Sequence, residues 1–306
     1  MHLITLKDWS NADVMEVVEN SIAIKKHPGQ YSDAMDGRSL ALLFQKTSTR
    51  TRCAGEVGMT QLGGHGMYLD WQTTNFTLAD LGDEIRVLST YADIILARFL
   101  KHADVVRAAE CATVPIINGC CDRYHPTQAL GDLMTIQEKL GRLEGVKLTY
   151  VGVHNNVCNS LIAAGLNVGM EVTAVTPEIN PAAVDEPLFE DARKAGCFTV
   201  SDQLQAAIAK SDVVYTDTWI DMEFFLDAGF KAEKERRIQL FMPYQLNREL
   251  LDGHDVLIMH CLAAHRGYEI SDDIMDDPRS IVFEQAENRL HSMKALMLKI
   301  LETNNE

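Results

Sequence analysis

The sequence predicts an α/β protein made of two doubly wound parallel-sheet domains with a ligand-binding cleft between them. Short runs rich in Val, Ile and Leu alternate along the chain with longer segments of helical periodicity, as in parallel strands joined by crossover helices. The length of 306 residues allows two domains of ordinary size. Polar residues follow several strand-like runs, at the place where open α/β sheets bind their ligands.

This alternation gives each element in order. The strands expected in the first half are Leu40–Phe44, Gly66–Leu69, Asp93–Ala97 and Val114–Asn118. Those expected in the second half are Lys147–Val153, Glu171–Val175, Cys197–Val200, Val213–Thr216, Val256–His260 and Ser280–Phe283. The helices expected around them are Cys53–Leu62, Leu81–Tyr91, Ala103–Cys111, Thr127–Leu140, Val157–Val168, Asp202–Ala209 and Gln285–Leu301.

A boundary between the two domains is expected near residues 135–146, where a helix gives way to the segment Gly141–Gly145. The final segment, Gln285–Leu301, carries leucine, methionine and isoleucine at helical spacing and predicts a long amphipathic helix. This helix is free to cross back to the first domain.

The composition excludes several classes of partner. A net charge of −16 argues against nucleic acid and against an anionic membrane surface. We expect no signal peptide, since the N-terminus lacks a basic start and an apolar core, and no membrane span of roughly 18 apolar residues. The seven cysteines are scattered without a C-x-x-C pair. This favours reduced thiols in the cytoplasm over disulfides or a zinc site.

The segment Phe44–Arg52 carries the strongest chemical signal, because a strand-like run ends there in hydroxyl and guanidinium groups ahead of a helix. The unpaired N–H groups and the dipole of a helix N-terminus favour an anion. Arginine adds planar donors suited to phosphate or carboxylate. We therefore expect an anion site, with a solvated turn carrying surface charges as the alternative.

A histidine precedes the helix that follows the fourth strand-like run. His125 stands directly before Pro126, which suits a first helical turn, and Gln128 lies three residues further on. There His125 can donate a hydrogen bond to a developing oxyanion, with Gln128 facing the same way. The alternative is a histidine at the helix start without a ligand.

Three polar segments follow strand-like runs in the second half. Asn155 and Asn156 begin a helix and can hold a carboxylate or simply cap the helix. Asp217 can bind a substrate ammonium group or be a solvated loop acid. The segment His260–Gly267 matches no zinc pattern and fits a polar active-site wall better. Residues 152–156 contain no G-x-G-x-x-G, so NAD binding is not expected.

Taken in order, these segments resemble the aspartate/ornithine carbamoyltransferase family over essentially the whole chain. The matching positions are Ser48-Thr49-Arg50-Thr51-Arg52, Arg98 ahead of His102, His125-Pro126-Thr127-Gln128, Asn155-Asn156, Asp217-x-Trp219, His260-Cys261-Leu262 and Ala286-Glu287-Asn288-Arg289. The pair of S-T-R-T-R and H-P-x-Q at this separation is highly specific. Lys46 and the H-C-L segment point to the ornithine branch.

The resemblance implies a particular architecture and pathway. Residues 1–135 would form a carbamoyl-phosphate domain, residues 136–284 an amino-acid domain, and residues 285–306 a helix that packs back on the first domain. The family's catalytic unit is a homotrimer with active sites at subunit interfaces. The implied role is in amino-acid biosynthesis and arginine metabolism.

The resemblance also assigns site residues. Ser48, Thr49, Arg50 and Thr51 would bind the phosphate with help from Arg98. His125 and Gln128 would contact the carbamoyl group. The residues implied to complete that pocket are Cys261, Leu262 and Arg289, and those implied to meet the amino acid are Asn156, Asp217 and Met222.

The implied reaction agrees with the residue types. A neutral primary amine attacks the carbamoyl carbon, negative charge grows on the carbonyl oxygen, and phosphate leaves. The reaction needs the two substrates held together, fixed donors for the oxyanion and a cationic site for the phosphate. It needs no metal, no cofactor and no covalent nucleophile. Cys261 has a second possible role as the nucleophile of an acyl intermediate, but no paired base is evident.

Three departures from the family pattern bear on the acceptor. Ala263 stands where the family has a cis proline, so the bond after Leu262 is either trans with a reshaped loop or cis. Asp221 and Glu223 replace a serine and a glycine of the ornithine-binding loop, and Thr73–Asp83 lacks a Gly-Arg-Gly-Glu run. Ornithine is the default acceptor from the resemblance to the ornithine branch, and the additional acids Asp221 and Glu223 favour putrescine or another cationic amine as the alternative. A non-catalytic ligand-binding or regulatory paralogue is the alternative from another class.

Overall fold

The computed structural model describes residues 1–220, 225 and 227–305. The chain divides into two compact units. The first unit contains Met1–Gly141 together with the residues from Glu287 onward, and the second contains Arg142–Ala286. The proposed domain limits, after residues 135 and 284, fall a few residues before these two divisions.

The first unit is built on a parallel sheet with strand order β2-β1-β3-β4. Its strands are β1 Ser39–Phe44, β2 His65–Asp70, β3 Ile94–Arg98 and β4 Ile116–Cys120. Its helices are α1 Asn11–Lys26, α2 Thr49–Gln61, α3 Leu81–Leu88, α4 His102–Cys111 and α5 Pro126–Leu140, together with most of the final helix. Strand β1 in the interior of this sheet is apolar on both faces, as expected where helices cover a sheet on each side, and Leu40 to Phe44 are all buried.

The second unit is built on a parallel sheet with strand order β7-β6-β5-β8-β9. Its strands are β5 Lys147–His154, β6 Glu171–Ile179, β7 Phe198–Val200, β8 Val213–Thr216 and β9 Leu257–His260. Its helices are α6 Asn156–Val168, α7 Glu186–Lys194, α8 Leu204–Ile208, α9 Lys231–Phe241, α10 Arg248–Leu251 and α11 Asp272–Met275. The last helix of the chain is α12, Val282–Asn305.

Helix α12 packs against the first unit through a buried polar side chain. The Nδ2 atom of Asn288 donates to Thr135 Oγ1 at 2.9 Å and to Glu138 Oε2 at 2.8 Å. Its Oδ1 atom accepts from Lys25 Nζ at 2.7 Å. These contacts join α12 to α1 and α5, and the expected return of the terminal helix to the first domain is confirmed.

The predicted fold class is confirmed, and one predicted element is wrong. Ser280–Phe283 was expected to be a strand, but only Ser280 forms an isolated bridge, to Ile258. Helix α12 already begins at Val282. Val282 and Gln285, three residues apart, are both buried, so the apolar run continues with a helical rather than an alternating period.

No helix among the described residues combines the length and apolar character that crossing a membrane requires.

Candidate active site

The start of helix α2 is open to an anion. Ser48 caps the helix with its backbone extended, and its side chain accepts a hydrogen bond from the N–H of Thr51 at 3.3 Å. No acidic residue stands in the first turn. The first-turn N–H groups of any helix have no partner within the helix, and together with the helix dipole they favour a negative ligand at such an end. Thr49 is exposed, and Ser48 and Arg50 are half-buried.

The two arginines of the S-T-R-T-R segment have different surroundings. Arg52 forms an ion pair with Glu56, with Nε and Oε2 2.9 Å apart, and its guanidinium lies 3.8 Å from the ring centre of Tyr68. Arg50 lies close enough to His125 for its charge to lower the pKa of that histidine. The two arginines therefore have different partners.

Strand pairing brings Arg98 to the same region. Arg98 ends β3 and lies in register with Phe44 at the end of β1, and the N–H of Gln45 donates to its carbonyl at 2.9 Å. Parallel strands end at one edge of a sheet, so Arg98 stands beside the turn that leads into α2. Its Nε atom is buried and has no hydrogen-bond partner among the described residues.

His125 occupies the position before Pro126 at the start of α5, and its side chain makes no capping bond to the helix. Its Nδ1 atom lies 3.3 Å from Thr127 Oγ1. Burial holds the pKa of His125 well below its ordinary value. The positive charges of four neighbours lower it further: Arg289, Arg98, Lys46 and Arg50. The imidazole is therefore neutral at physiological pH and stands among these four cations.

Arg289 of α12 joins three helices at this point. It donates to Gln128 Oε1, and its Nη2 atom lies 3.3 Å from the hydroxyl oxygens of both Thr51 and Thr127. The Nε2 atom of Gln128 donates to the buried carboxylate of Asp132 at 2.9 Å. Sequence reasoning missed Asp132 as a partner of this group, although its i+4 spacing from Gln128 on a helix was a usable signal. Lys46, whose charge also lowers the pKa of His125, was likewise missed as a member of this group, because the sequence pattern assigned it no role in the site.

The second unit places a carboxylate among neutral donors. Asp217, which follows β8, is 8% exposed. Its Oδ2 atom accepts from Asn155 Nδ2 at 2.7 Å. Its Oδ1 atom accepts from Cys261 Sγ at 2.9 Å and from the N–H of Thr218 at 2.7 Å. Since none of these donors is a cation, the carboxylate keeps its charge available for a positive ligand.

Asn155 is the N-cap of α6. Its Oδ1 atom accepts from the N–H groups of Val157 and Cys158, at 3.0 and 3.2 Å, and from the hydroxyl of Tyr150 at 3.0 Å. Burial and nearby negative charge raise the pKa of Tyr150 well above its ordinary value, so it remains a donor. The capping alternative thus applies to Asn155. Asn156 is the first residue of α6 and is half-buried.

The residues after β9 form a tight turn. Leu262 has φ 57°, and the peptide bond between Leu262 and Ala263 is cis. Of the two conformations considered for this bond, the structure has the cis form. Met222, together with Asp221 and Glu223, lies outside the described residues.

Asp217, His260 and Cys261 each offer a ligand atom, and these atoms lie within 4.8 Å of one another. Both ring nitrogens of His260 are engaged with protein groups, however. Nδ1 accepts from the N–H of Leu262 at 2.8 Å, and Nε2 lies 3.1 Å from Glu269 Oε1. This donor set fits a protein hydrogen-bond network better than a metal centre.

Two chemically opposite groups thus result, one in each unit. The first unit gathers four cationic side chains, a neutral imidazole and a helix N-terminus, and the second places the carboxylate of Asp217 among neutral donors. The fold and these groups define an α/β protein with charged groups at the ends of parallel strands, where open α/β sheets bind their ligands.

Two family models match the chain. The model described as "Aspartate/ornithine carbamoyltransferase, carbamoyl-P binding domain" matches residues 1–138, and "Aspartate/ornithine carbamoyltransferase, Asp/Orn binding domain" matches residues 144–300. The chain belongs to the aspartate/ornithine carbamoyltransferase family.

Individual members of this family are similar over nearly their full length. The chain is 41% identical to the ornithine carbamoyltransferase of Thermococcus kodakarensis, covering 98% of this chain and 96% of that protein. It is also 41% identical to the anabolic ornithine carbamoyltransferase of Pyrococcus furiosus, with 98% and 96% covered. A solved structure of ornithine carbamoyltransferase from Pyrococcus furiosus has a TM-score of 0.90 at 40% identity, covering 99% of this chain and 97% of that chain.

Proposed function

We propose that this protein transfers the carbamoyl group of carbamoyl phosphate to the primary amine of ornithine, giving citrulline and phosphate. The observation that carries the proposal is the convergence of Arg50, Arg98, Arg289 and Lys46 on the neutral His125. Four cations around an uncharged donor suit a ligand that combines a phosphate with a carbonyl group. The similarity to proteins named ornithine carbamoyltransferase supports the choice of acceptor.

The donor substrate would lie in the first unit. The N–H groups at the start of α2, with the hydroxyls of Ser48, Thr49 and Thr51, would hold the phosphate together with the guanidinium groups of Arg50 and Arg98. The cations stabilise phosphate as it leaves, because they compensate the charge that builds on its bridging oxygen.

Neutral side chains would donate hydrogen bonds to the carbamoyl group. A neutral imidazole still carries one N–H, so His125 can donate to the carbonyl oxygen as negative charge grows there. Arg289 and Asp132 both bind the Gln128 amide. Gln128 is thereby held in one orientation beside the carbamoyl group. No proton has to leave His125 during the reaction.

The acceptor would bind in the second unit. Asp217 would take the α-ammonium group of ornithine, while Asn156 would meet its α-carboxylate. Cys261 and Leu262, assigned to the carbamoyl pocket, would also flank the reacting amine, and Met222 is assigned to the acceptor on sequence alone. The attacking amine must be neutral, and holding it against the donor supplies the main part of the rate enhancement.

The proposal extends to assembly and location. We propose a cytoplasmic homotrimer, with active sites at subunit interfaces, that acts in arginine biosynthesis. The name of the anabolic relative from Pyrococcus furiosus supports the biosynthetic direction. Light scattering on the purified protein tests the assembly, since the trimer has three times the mass of the 34.1 kDa chain.

An acceptor screen tests the activity. The protein is incubated with carbamoyl phosphate and either ornithine, putrescine or other amines, and phosphate release and the carbamoylated product are measured. We expect phosphate and citrulline with ornithine. Phosphate release with putrescine but not with ornithine would show that putrescine is the acceptor, in keeping with the two additional acids Asp221 and Glu223. No release with any amine would favour a non-catalytic ligand-binding or regulatory paralogue.

A further inference from the structure

A completely buried carboxylate lies behind the acceptor side of the site. Glu269 is 0% exposed. Its Oε1 atom lies 3.1 Å from His260 Nε2 and accepts from the N–H of His265 at 2.6 Å. Its Oε2 atom has no hydrogen-bond partner in the described part of the chain. Such a group is expensive to bury, so it calls for a specific explanation.

The partner of this carboxylate is equally buried and also faces the turn after β9. His260 is 0% exposed. Because its Nδ1 atom accepts from the N–H of Leu262 at 2.8 Å, its proton sits on Nε2, which donates to Glu269. Glu269 therefore selects the tautomer of His260 that can accept from Leu262.

The hydrogen bonds of two backbone N–H groups, those of Leu262 and His265, hold the turn after β9. Glu269 holds the N–H of His265 directly and the N–H of Leu262 through His260. Cys261 lies between His260 and Leu262, and its Sγ atom is 2.9 Å from Asp217 Oδ1. One side-chain nitrogen, sulfur or oxygen atom from each of His260, Cys261 and Asp217 lies within 4.8 Å of the other two. The buried pair thus lies against the thiol and the carboxylate assigned to the acceptor.

We propose that Glu269 is a positioning residue for carbamoyl transfer, which acts through His260 to set the turn Cys261–His265 and so the placement of the Cys261 thiol against Asp217. The inference rests on the proposed function for its consequence in catalysis. Its consequence for the thiol does not depend on that function. Glu269 does not contact substrate in this role.

Substitutions at Glu269 test the proposal. Glu269→Ala removes the acceptor for both donors, and we expect kcat/KM for ornithine to fall about 100-fold, the size of effect that a misplacement of about 1 Å produces. We expect the dissociation constant for carbamoyl phosphate to change much less, since the residues assigned to its phosphate lie in the first unit. Glu269→Gln keeps an oxygen acceptor and restores most of the activity. Asp272→Ala, an exposed acid of the same segment, is the matched control and has no effect.

Two substitutions of His260 separate its two contacts. Asparagine can place its Oδ1 atom near Nδ1 and still accept from Leu262, whereas glutamine reaches towards Glu269 and loses the Leu262 contact. We expect His260→Gln to lose activity as Glu269→Ala does and His260→Asn to lose less. In the double variant the two losses are less than additive, because both changes break the connection to Leu262 and only Glu269→Ala also removes the acceptor of the His265 N–H.

Thiol alkylation gives a readout that requires no catalysis. Peptide mass spectrometry follows the alkylation rates of Cys261 and of the exposed Cys53 in the same folded sample. We expect Glu269→Ala to raise the rate at Cys261 several-fold, while Glu269→Gln and the rate at Cys53 stay at the wild-type value. If the wild type releases no phosphate with any amine, the proposed function fails and this measurement still decides the positioning role.

The positioning role is overturned if folded Glu269→Ala protein keeps the wild-type alkylation rate at Cys261, or if it loses only thermal stability with kcat/KM unchanged. Additive losses in the double variant would equally contradict action through His260. Should Glu269→Ala fail to fold, the comparison of His260→Gln with His260→Asn carries the same decision.

Discussion

Arg50 and Arg52 are two residues apart on helix α2, and their neighbours give them different properties. Arg52 forms an ion pair with Glu56 and contacts the ring of Tyr68, while the charge of Arg50 lowers the pKa of His125. Residues two apart on a helix point in different directions. A motif therefore does not assign the same role to each of its arginines.

We expect Arg50→Ala to lower kcat/KM by about 100- to 1,000-fold, the range found when one preorganised donor to developing charge is removed. Arg52→Ala is the matched control and changes kcat/KM by no more than about threefold, because only a surface ion pair is lost. Phosphate release measures both, with circular dichroism as the check on folding. Equal losses in the two variants would contradict the proposed phosphate site.

His125 is an uncharged donor among cations. Burial and the charges around it hold its pKa well below the ordinary value, so the histidine does not gain a proton as pH falls from 8 to 6.5. We expect its imidazole resonances in the protein without substrate to stay those of the neutral ring over this range. Nuclear magnetic resonance of histidine-labelled protein measures this, with His125→Asn to assign the signal. A midpoint at or above pH 6.5 would refute the neutral-donor role.

At the scale of elements, the ends of strands and helices bring the site together. Arg98 reaches the α2 turn because β3 pairs with β1 in a register that aligns Arg98 with Phe44. Arg289 arrives on α12, which is anchored by Asn288 one residue earlier. The first contact depends on sheet register and the second on helix packing, so both donors are positioned by elements remote in sequence.

We expect Asn288→Ala to lower the free energy of unfolding by about 1–3 kcal/mol, because the buried Thr135 and the more exposed Glu138 and Lys25 each lose a hydrogen bond. Glu302→Ala on the exposed side of the same helix serves as control and stays within about 0.5 kcal/mol of the wild type. Urea unfolding followed by circular dichroism measures both. A loss for Asn288→Ala no larger than that of the control would show that this network does not anchor α12.

At the scale of the whole molecule, buried histidines make stability depend on pH. Burial lowers the pKa of several histidines in the folded protein, namely His2, His125, His154, His265 and His291. The unfolded chain binds protons near pH 6.5 that the folded chain does not. Their contribution is therefore complete above pH 6.5 and is lost as the pH falls below it, by up to about 1.4 kcal/mol per pH unit for each histidine.

Acidic groups extend the loss to lower pH. Ion pairs with arginine lower the pKa of Glu233 and of Asp277 to about 2 each, so their contribution disappears only as the pH falls from about 4.5 towards 2. We expect the urea concentration at the unfolding midpoint to decrease as the pH is lowered from 7.5 to 5.5. His154→Gln should make this decrease smaller while keeping the contact with Asn159. An unchanged or rising midpoint over that range would contradict the assignment to buried histidines.

The sequence by itself determined the fold class, most of the elements and the two local motifs. Alternating apolar runs and helical periods specify parallel α/β units, and a strand, a turn and a helix N-terminus adjacent in sequence already predict the proposed anion site at Ser48–Thr51. His125 was located before its helix for the same reason, because Pro126 marks the first turn.

Only the tertiary structure decided which distant groups meet and what their charges become. It brought Arg98 and Arg289 to His125, joined Asp217 to Asn155 and Cys261, and buried Glu269 against His260. It also made the run at Ser280–Phe283 the start of a helix. These outcomes depend on contacts between residues far apart in the chain and on loss of water around them, neither of which a local pattern specifies.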